Sequence, residues 1–254
     1  MARGGALRAR GRRAAAWVAV LAAALAPAAA GHPAGAVPSP NGPPGYWLVA
    51  SDGGVFTLGG VAFFGSMGGH PLNAPIVGMA ATPDGAGYWE VASDGGIFSF
   101  GDASFHGSMG GHPLNRPIVG MAATPDGAGY REVASDGGIF SFGDAQFLGS
   151  MGGHPLDAPM VGMAATPDGG GYWLVGADGG VFAFGDAGFF GSVPHGQGPC
   201  AGVPCVGMAA TPDGAGYWVL GADGGLWAFG DAGYAFPLLG GEPIYGPAVA
   251  IVRS

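Results

Sequence analysis

The sequence has no lysine and little charge of any kind, since only 10% of its 254 residues are Asp, Glu, Lys or Arg. All eight basic residues are Arg, and five of them lie in the first 13 positions, which leaves three Arg against 17 Asp and Glu. So low a charge content excludes a coiled coil or a solvated acidic tail. The acidic body repels phosphate backbones, so we expect no nucleic-acid partner.

Cysteine is also scarce, because Cys200 and Cys205 in GPCAGVPC are the only two. No further Cys or His stands nearby at a spacing that would complete a metal site. Outside the cytoplasm, a local disulfide that fastens one surface loop is the expected pairing. We expect no metal and no cofactor.

No apolar run reaches the roughly 20 residues that a membrane-spanning helix needs. The apolar segment AAAWVAVLAAALA (14–26) follows a basic segment and precedes small residues, the order of a secretory signal. We predict a signal peptide over 1–30, with cleavage as late as residue 36 equally defensible, and a Pro/Gly-rich linker over 31–44. The expected product is a secreted protein without stable membrane insertion; an uncleaved anchor is the alternative.

Glycine and proline are abundant, at 56 and 22 residues, a level typical of disorder in sequences that lack a period. This sequence is periodic. The Gly-Tyr-Trp motif, or Gly-Tyr-Arg in one case, opens five units: 45–86, 87–128, 129–170, 171–215 and 216–254. The second and third units differ at only seven of 42 positions, so the units are duplications.

Each unit contains short apolar segments separated by Gly-rich turns. In the first unit we predict strands at 46–50, 55–58, 62–66 and 76–82. The turns between them contain Asp-Gly and Gly-Gly, which supply the positive φ that tight hairpins require. Four antiparallel strands per unit are therefore predicted.

A unit of this size with four strands is typical of one β-propeller blade. We predict an all-β fold, a five-bladed β-propeller over 45–254, closed by pairing of the C-terminal segment 247–253 with the first blade. The small-residue strand IVGMAAT would be innermost, and the strand at 62–66 would form an exposed outer rim. A β-solenoid and a disordered chain are the alternatives, and we expect a monomer.

The string GYWLVASDGGVFTLGG…GSMGGHPLNAPIVGMAATPDGAGYW resembles a tandem repeat of secreted actinobacterial proteins, in which such units stand alone or beside hydrolase or peptidase domains. The likeness runs from Gly45 to the end of the chain. It implies an extracytoplasmic β-propeller, and it brings no established catalytic residue. This chain departs from the repeat at Glu90, Arg131, Glu132 and the insertion that carries the two cysteines.

The predicted strand order places the SDGG turns and the GGHPLN loops on one shared face of the propeller, the usual ligand-bearing face in this architecture. The candidate ligand-binding residues on that face are Asp52, His70, Asn73, Asp94, His112, Asn115, Asp136, His154 and Asp157. A metal shared by the three histidines is disfavoured, because loops on neighbouring blades stand on the order of 10 Å apart. The turn carboxylates are best explained by local Asx hydrogen bonds.

Glu90 and Glu132 replace an apolar residue, and Arg131 replaces Trp in the same strand as Glu132. Because neighbouring residues in a strand point to opposite faces, we predict that the face with Glu90 meets the face with Arg131 in an ion pair between blades. Two carboxylates also suggest a glycoside hydrolase, the least favoured function.

No catalytic residue is predicted, since no GxSxG elbow or phosphate loop is present. The favoured function is a secreted, non-enzymatic recognition or scaffolding module at the cell envelope, with lectin-like binding of a cell-wall glycan. Near-identical units favour weak multivalent binding. The alternative is a protein–protein interaction or purely structural module, whose partner would be an envelope protein.

Overall fold

A computed structural model describes residues 45–194, 200 and 202–233 of the chain. The predicted signal peptide, the linker and the closing segment 247–253 lie outside the described residues. Within the described residues, no helix is long and apolar enough to cross a membrane.

Every strand of the described chain belongs to one of five antiparallel sheets, as the sequence predicts. Sheet 1 contains β1 (Tyr46–Val49) and β2 (Val55–Leu58). Sheet 2 contains β3 (Ile76–Ala81), β4 (Gly87–Ala92) and β5 (Ile97–Gly101), and sheet 3 contains β6 (Ile118–Ala123), β7 (Gly129–Ala134) and β8 (Ile139–Gly143). Sheet 4 contains β9 (Met160–Ala165), β10 (Gly171–Gly176) and β11 (Val181–Gly185), and sheet 5 contains β12 (Cys205–Ala210), β13 (Gly216–Gly221) and β14 (Leu226–Gly230).

The small-residue strands β3, β6, β9 and β12 lie next to one another, each at the inner edge of its sheet. A Cβ added to Gly78 would lie 3.4 Å from the Cα of Gly120, and one added to Gly162 would lie 3.6 Å from the Cα of Gly207. Glycine at this position lets the backbones approach closely. The prediction that these strands are innermost is confirmed.

The predicted outer strand is wrong, because residues 62–66 and the equivalent residues of the next three units form no strand; the equivalent segment of the fifth unit extends outside the described residues. Gly65 has a φ of 127°, a conformation that residues with a side chain rarely adopt and that interrupts an extended strand. The polar backbone groups of this segment bond to side chains rather than to a neighbouring strand. The amide of Phe64 donates to the hydroxyl of Tyr88 at 3.3 Å, and the carbonyl of Gly65 accepts from the same hydroxyl.

The turns divide between two opposite edges of the sheets. The SDGG turns and the GGHPL loops share one edge, called the top face, where the amide of Gly110 donates to the carbonyl of Gly95 at 3.0 Å. The PDG and GDA turns share the other edge, called the bottom face, where the amide of Asp102 donates to the carbonyl of Ala86 at 3.2 Å. The predicted sharing of faces is confirmed.

Candidate functional site

The candidate residues on the top face divide into two chemical groups. The turn carboxylates accept local hydrogen bonds: Asp52 Oδ1 from the amide of Gly54 at 2.9 Å, and Asp94 Oδ1 from the amide of Gly96 at 3.0 Å. Asp136 makes the same turn at 3.0 Å to the amide of Gly138. These carboxylates stabilise their own turns, as Asx hydrogen bonds do.

The loop residues of the top face are free of such local bonds. All six are exposed, and within the described residues their side chains make no hydrogen bond: His70, His112, His154, Asn73, Asn115 and Asp157. The loops are nonetheless fixed, because each histidine amide donates to a carbonyl three residues earlier, as His112 does to Met109 at 2.9 Å. The top face therefore presents the same imidazole at the same place in three successive units.

No three His, Cys, Asp or Glu side chains within the described ranges come together as a group that could hold a metal ion. The three histidines stand on three different loops, one for each unit.

Two side chains from neighbouring sheets hold the irregular segment that follows the last strand of a sheet. We call this segment the outer segment and the two side chains the lock. Trp89 is fully buried, and its indole Nε1 donates to the carbonyl of Ser104 at 2.7 Å. Its ring packs on Tyr130 of the next sheet, with ring centroids 5.6 Å apart. The hydroxyl of Tyr130 in turn accepts from the amide of His106 at 3.1 Å and donates to the carbonyl of Gly107. A Trp, or Arg131 in sheet 3, and a Tyr of the following sheet thus fasten the outer segment that follows each of sheets 1 to 4.

The exposed rim predicted at 62–66 is also wrong at the central position of that segment, which differs most among the units. Phe64, His106, Leu148 and Phe190 are half-buried between sheets. The ring of Phe190 lies against Tyr217 with centroids 5.7 Å apart, and the ring of His106 lies 5.5 Å from Tyr130. In each of the first four units, the residue directly before this half-buried position points outward instead. These exposed residues are Phe63 at 57%, Phe105 at 62%, Phe147 at 60% and Phe189 at 62%.

Arg131 occupies the tryptophan position of sheet 3 and reproduces the contacts of tryptophan. Its Nε donates to the carbonyl of Gln146 at 2.9 Å, fifteen residues on, as the indole of Trp89 does. Its guanidinium carbon lies 5.1 Å from the ring centroid of Tyr172 in sheet 4, and Nη2 donates to the carbonyl of Gly169 at 3.3 Å. The side chain is only 1% exposed, and its Nη1 has no hydrogen-bond partner. Burial lowers the pKa of Arg131.

Replacing Arg131 with Trp is expected to stabilise the fold by about 1–3 kcal/mol. The indole restores the lock found in the other sheets and removes a buried cationic nitrogen that has no partner. Arg131→Ala is the matched comparison, because it deletes the lock and is expected to cost about 2–4 kcal/mol. Urea unfolding of the three proteins measures the difference, and an Arg131→Trp protein less stable than the parent would contradict this assignment.

Glu90 and Glu132 are fully buried, and neither oxygen of either carboxyl group has a hydrogen-bond partner. Burial, followed by the charge of Asp52, raises the pKa of Glu90 from 4.5 to about 8; the nearby amide of Met67 only partly offsets this. Burial also raises the pKa of Glu132 to about 8, with Asp94 adding to the effect and the amide of Met109 opposing it. Both side chains are therefore neutral acids at pH 7.

The predicted ion pair between Glu90 and Arg131 is absent, since neither Glu90 oxygen has a partner and Arg131 bonds elsewhere. Glu90 faces sheet 1, where its Oε2 would lie 3.2 Å from a Cβ added to Gly53. Arg131 faces sheet 4, where it contacts Tyr172. In sheets 2 and 3 the tryptophan position of the central strand faces the following sheet and the glutamate position faces the preceding one, so Glu90 and Arg131 lie on sheet faces that do not meet.

The predicted disulfide between Cys200 and Cys205 is confirmed, with the two Cα atoms 5.1 Å apart. Cys205 is the buried first residue of β12, and its amide donates at 2.8 Å to the carbonyl of Ala177, the turn residue directly after β10 of sheet 4. The disulfide therefore fastens the insertion to a strand that is itself anchored to the neighbouring sheet.

Comparison with known proteins supports the fold. No family model matches the sequence, and no curated protein matches it. Among solved structures, the β-propeller domain of Cps50 (Swd1) from Myceliophteria thermophila is similar, with a TM-score of 0.50 and 12% sequence identity. The match covers 73% of this chain and 62% of that chain, so this chain spans less than two thirds of its length. At such low identity the likeness shows the fold alone: the described chain has a β-propeller fold.

Proposed function

We propose that this chain is a secreted, non-enzymatic binding module that recognises a cell-wall glycan through its top face. The observation that carries the proposal is the row of exposed loop side chains, repeated at the same place in three units and without hydrogen-bond partners among the described residues. Imidazole and amide groups donate and accept hydrogen bonds with hydroxyl groups. Repeated weak sites of this kind gain about 10² to 10⁴ in avidity over a single site.

The arrangement of carboxyl groups favours binding over hydrolysis. A glycosidase needs two carboxyl groups about 5 to 9.5 Å apart on either side of a sugar. Glu90 lies against Gly53 and Met67 of the first unit, whereas Glu132 lies against Gly95 and Met109 of the second. Each acid is enclosed in a different space between sheets, where no sugar can reach both.

Replacing His70, His112 and His154 together with Ala tests the proposed face. Because these side chains are exposed, the triple variant is expected to unfold at the same urea concentration as the parent. Its binding to an array of cell-wall glycans is expected to fall at least about tenfold, through loss of avidity. Absence of saturable binding by the parent, or unchanged binding by the triple variant, would refute the proposal.

We further propose that the propeller has five blades and is closed by the C-terminal segment. Sheet 1 has two described strands whereas the other sheets have three, and its β1 occupies the central place that β4 and β7 hold in their own sheets. A strand over 247–253, with the sequence PAVAIVR, would supply the missing inner strand. Closure would bring the loops of all five units around one axis.

A protein partner is the second candidate, and the disulfide-bonded insertion favours it. The insertion is confined to one unit, so it breaks the sameness of the top face and presents a single asymmetric feature. An envelope protein that binds here would lose affinity when Cys200 and Cys205 are both replaced by Ser. It would retain affinity in the triple histidine variant, which separates the two candidates.

A further inference from the structure

The outer rim of the protein carries a regular row of exposed aromatic rings. We define the rim surface as Phe63, Phe105, Phe147 and Phe189, which are 57% to 62% exposed, together with the Asp residues of the GDA turns at its bottom edge, which precede the last three rings by three residues: Asp102, Asp144 and Asp186. An exposed large apolar side chain repeated in successive units is an interaction feature rather than a scattered one.

Packing does not explain why these four positions are all Phe. The next residue along the chain is half-buried between sheets, yet it changes freely from Phe64 to His106 to Leu148. Residues that pack in an interior normally vary less than residues on the surface. Here the exposed position is constant and the packed position varies, so packing within the described fold does not account for the constant ring.

The described surface of the protein as a whole is acidic. All 14 Asp of the chain lie among the described residues and none of them is buried, whereas Arg116 is the one exposed basic residue of that part of the chain. Asp102 and Phe105 are three residues apart, so their Cα atoms are separated by at most about 11 Å. The Asp102 carboxyl group lies beside Thr82 and Asp84 on the bottom face, where burial, followed by the charge of Asp84, raises its pKa.

We propose that the rim surface docks a cationic, extended segment of another protein, with Arg side chains stacked on the Phe rings and paired with the Asp carboxylates at the bottom edge of the rim. Arginine suits both groups, because its planar guanidinium stacks on aromatic faces and pairs with carboxylates through two hydrogen bonds. The protein already contains one such stack, since the Arg131 guanidinium lies over the ring of Tyr172. One ring per unit offers an extended chain several equivalent contacts.

Charge complementarity selects this partner over others. Nucleic acid and anionic membranes are repelled by the acidic surface. A neutral glycan gains nothing from the carboxylate charge, and a second copy of this chain would bring its own excess of Asp to the contact. This docking surface is separate from the top face and does not depend on glycan binding there.

Fluorescence anisotropy with a labelled peptide of alternating Arg and Gly tests the proposal on the full secreted chain. At about 0.15 M salt, where long-range attraction between exposed charges is screened, we expect saturable binding. Replacing Phe105, Phe147 and Phe189 together with Ser is expected to weaken binding at least about tenfold. Replacing the same three residues with Tyr, which keeps the aromatic face, is expected to leave the affinity within about twofold of the parent.

Two controls make the result decisive. The triple histidine variant of the top face is expected to bind the peptide as the parent does, so failure of the glycan proposal and failure of this one are distinguishable. All the rim variants change exposed side chains, and their urea midpoints should match that of the parent. Unchanged affinity in the Phe→Ser variant would show mere attraction to an acidic surface, and lack of peptide binding by the parent would equally overturn the proposal.

Discussion

Replacing both Glu90 and Glu132 with Leu is expected to stabilise the protein by several kcal/mol at pH 8 and to remove most of the dependence of its stability on pH between about 5 and 8. Leucine is the natural choice, because Leu48 and Leu174 occupy the equivalent positions in two other sheets. It fills the same space between sheets without bringing a polar group that lacks a partner.

The direction of the pH effect follows from the raised pKa values of the two acids. In the unfolded chain each carboxyl loses its proton near 4.5, whereas in the folded protein its pKa is about 8. Between these values the folded state holds more protons than the unfolded state, so stability falls as the pH rises. Each group contributes a slope on the order of 1.4 kcal/mol per pH unit, and the slope ends above pH 8, where both states are ionised.

Urea unfolding at pH 5, 6.5 and 8 measures this slope for the parent and for the double variant, the pH values being chosen to span the window set by the two pKa values. Leu174→Glu is the matched control, since it places a third acid in the equivalent buried position of β10 and is expected to steepen the slope. A parent whose stability is constant or rises over this window would show that the two acids are not buried as described.

Replacing Trp89 with Ala is the second large expected effect, with a cost of about 3–5 kcal/mol. The substitution opens a cavity between sheets 2 and 3, where the indole packs on Tyr130, and it frees the carbonyl of Ser104. Because the outer segment is held by side chains rather than by a strand ladder, it is expected to lose order before the sheet does.

Hydrogen exchange separates the two consequences of the Trp89→Ala substitution. The amide of His106, which donates to Tyr130, is expected to exchange much faster in the variant, while the amides of β4 keep most of their protection. Phe105→Ala is the control, since this exposed ring is expected to cost no more than about 0.5 kcal/mol. Equal losses of stability in the two variants would contradict the lock.

Much of the fold could be predicted from the sequence, because its signals are local or periodic. The repeat fixes the number of units, Asp-Gly fixes the turns, and the glycines of the innermost strands mark where backbones approach. The predicted outer strand failed for a different reason. Its apolar residues are typical of a short strand, but the Trp of the same unit and the Tyr of the next unit bond to its backbone, and no sequence period reveals a bond that crosses from one unit to the next.

The candidate site was predicted in part for the same reason. Successive antiparallel strands reverse direction, so every second turn lies on the same edge of the sheets, and this is why the shared top face could be predicted. The structure places the nine candidate residues on that face. The predicted ion pair between Glu90 and Arg131 was wrong. The alternation of side chains along a strand shows that neighbouring residues point to opposite faces of the sheet, but it does not show which face packs against the following sheet. The exposed Phe row was missed although a signal was present: a constant Phe precedes the variable residue in each of the first four units.

Closure of the ring is the claim on which the binding face depends most, since an open array would not gather five sets of loops around one axis. Native-state hydrogen exchange at the amides of β1, compared between the full chain and an Ala250→Pro variant, tests it most directly. Proline removes a donor in the middle of the proposed closing strand. A closed five-bladed ring predicts protected β1 amides in the parent and fast exchange in the variant. Equally fast exchange at these amides in both proteins would contradict closure.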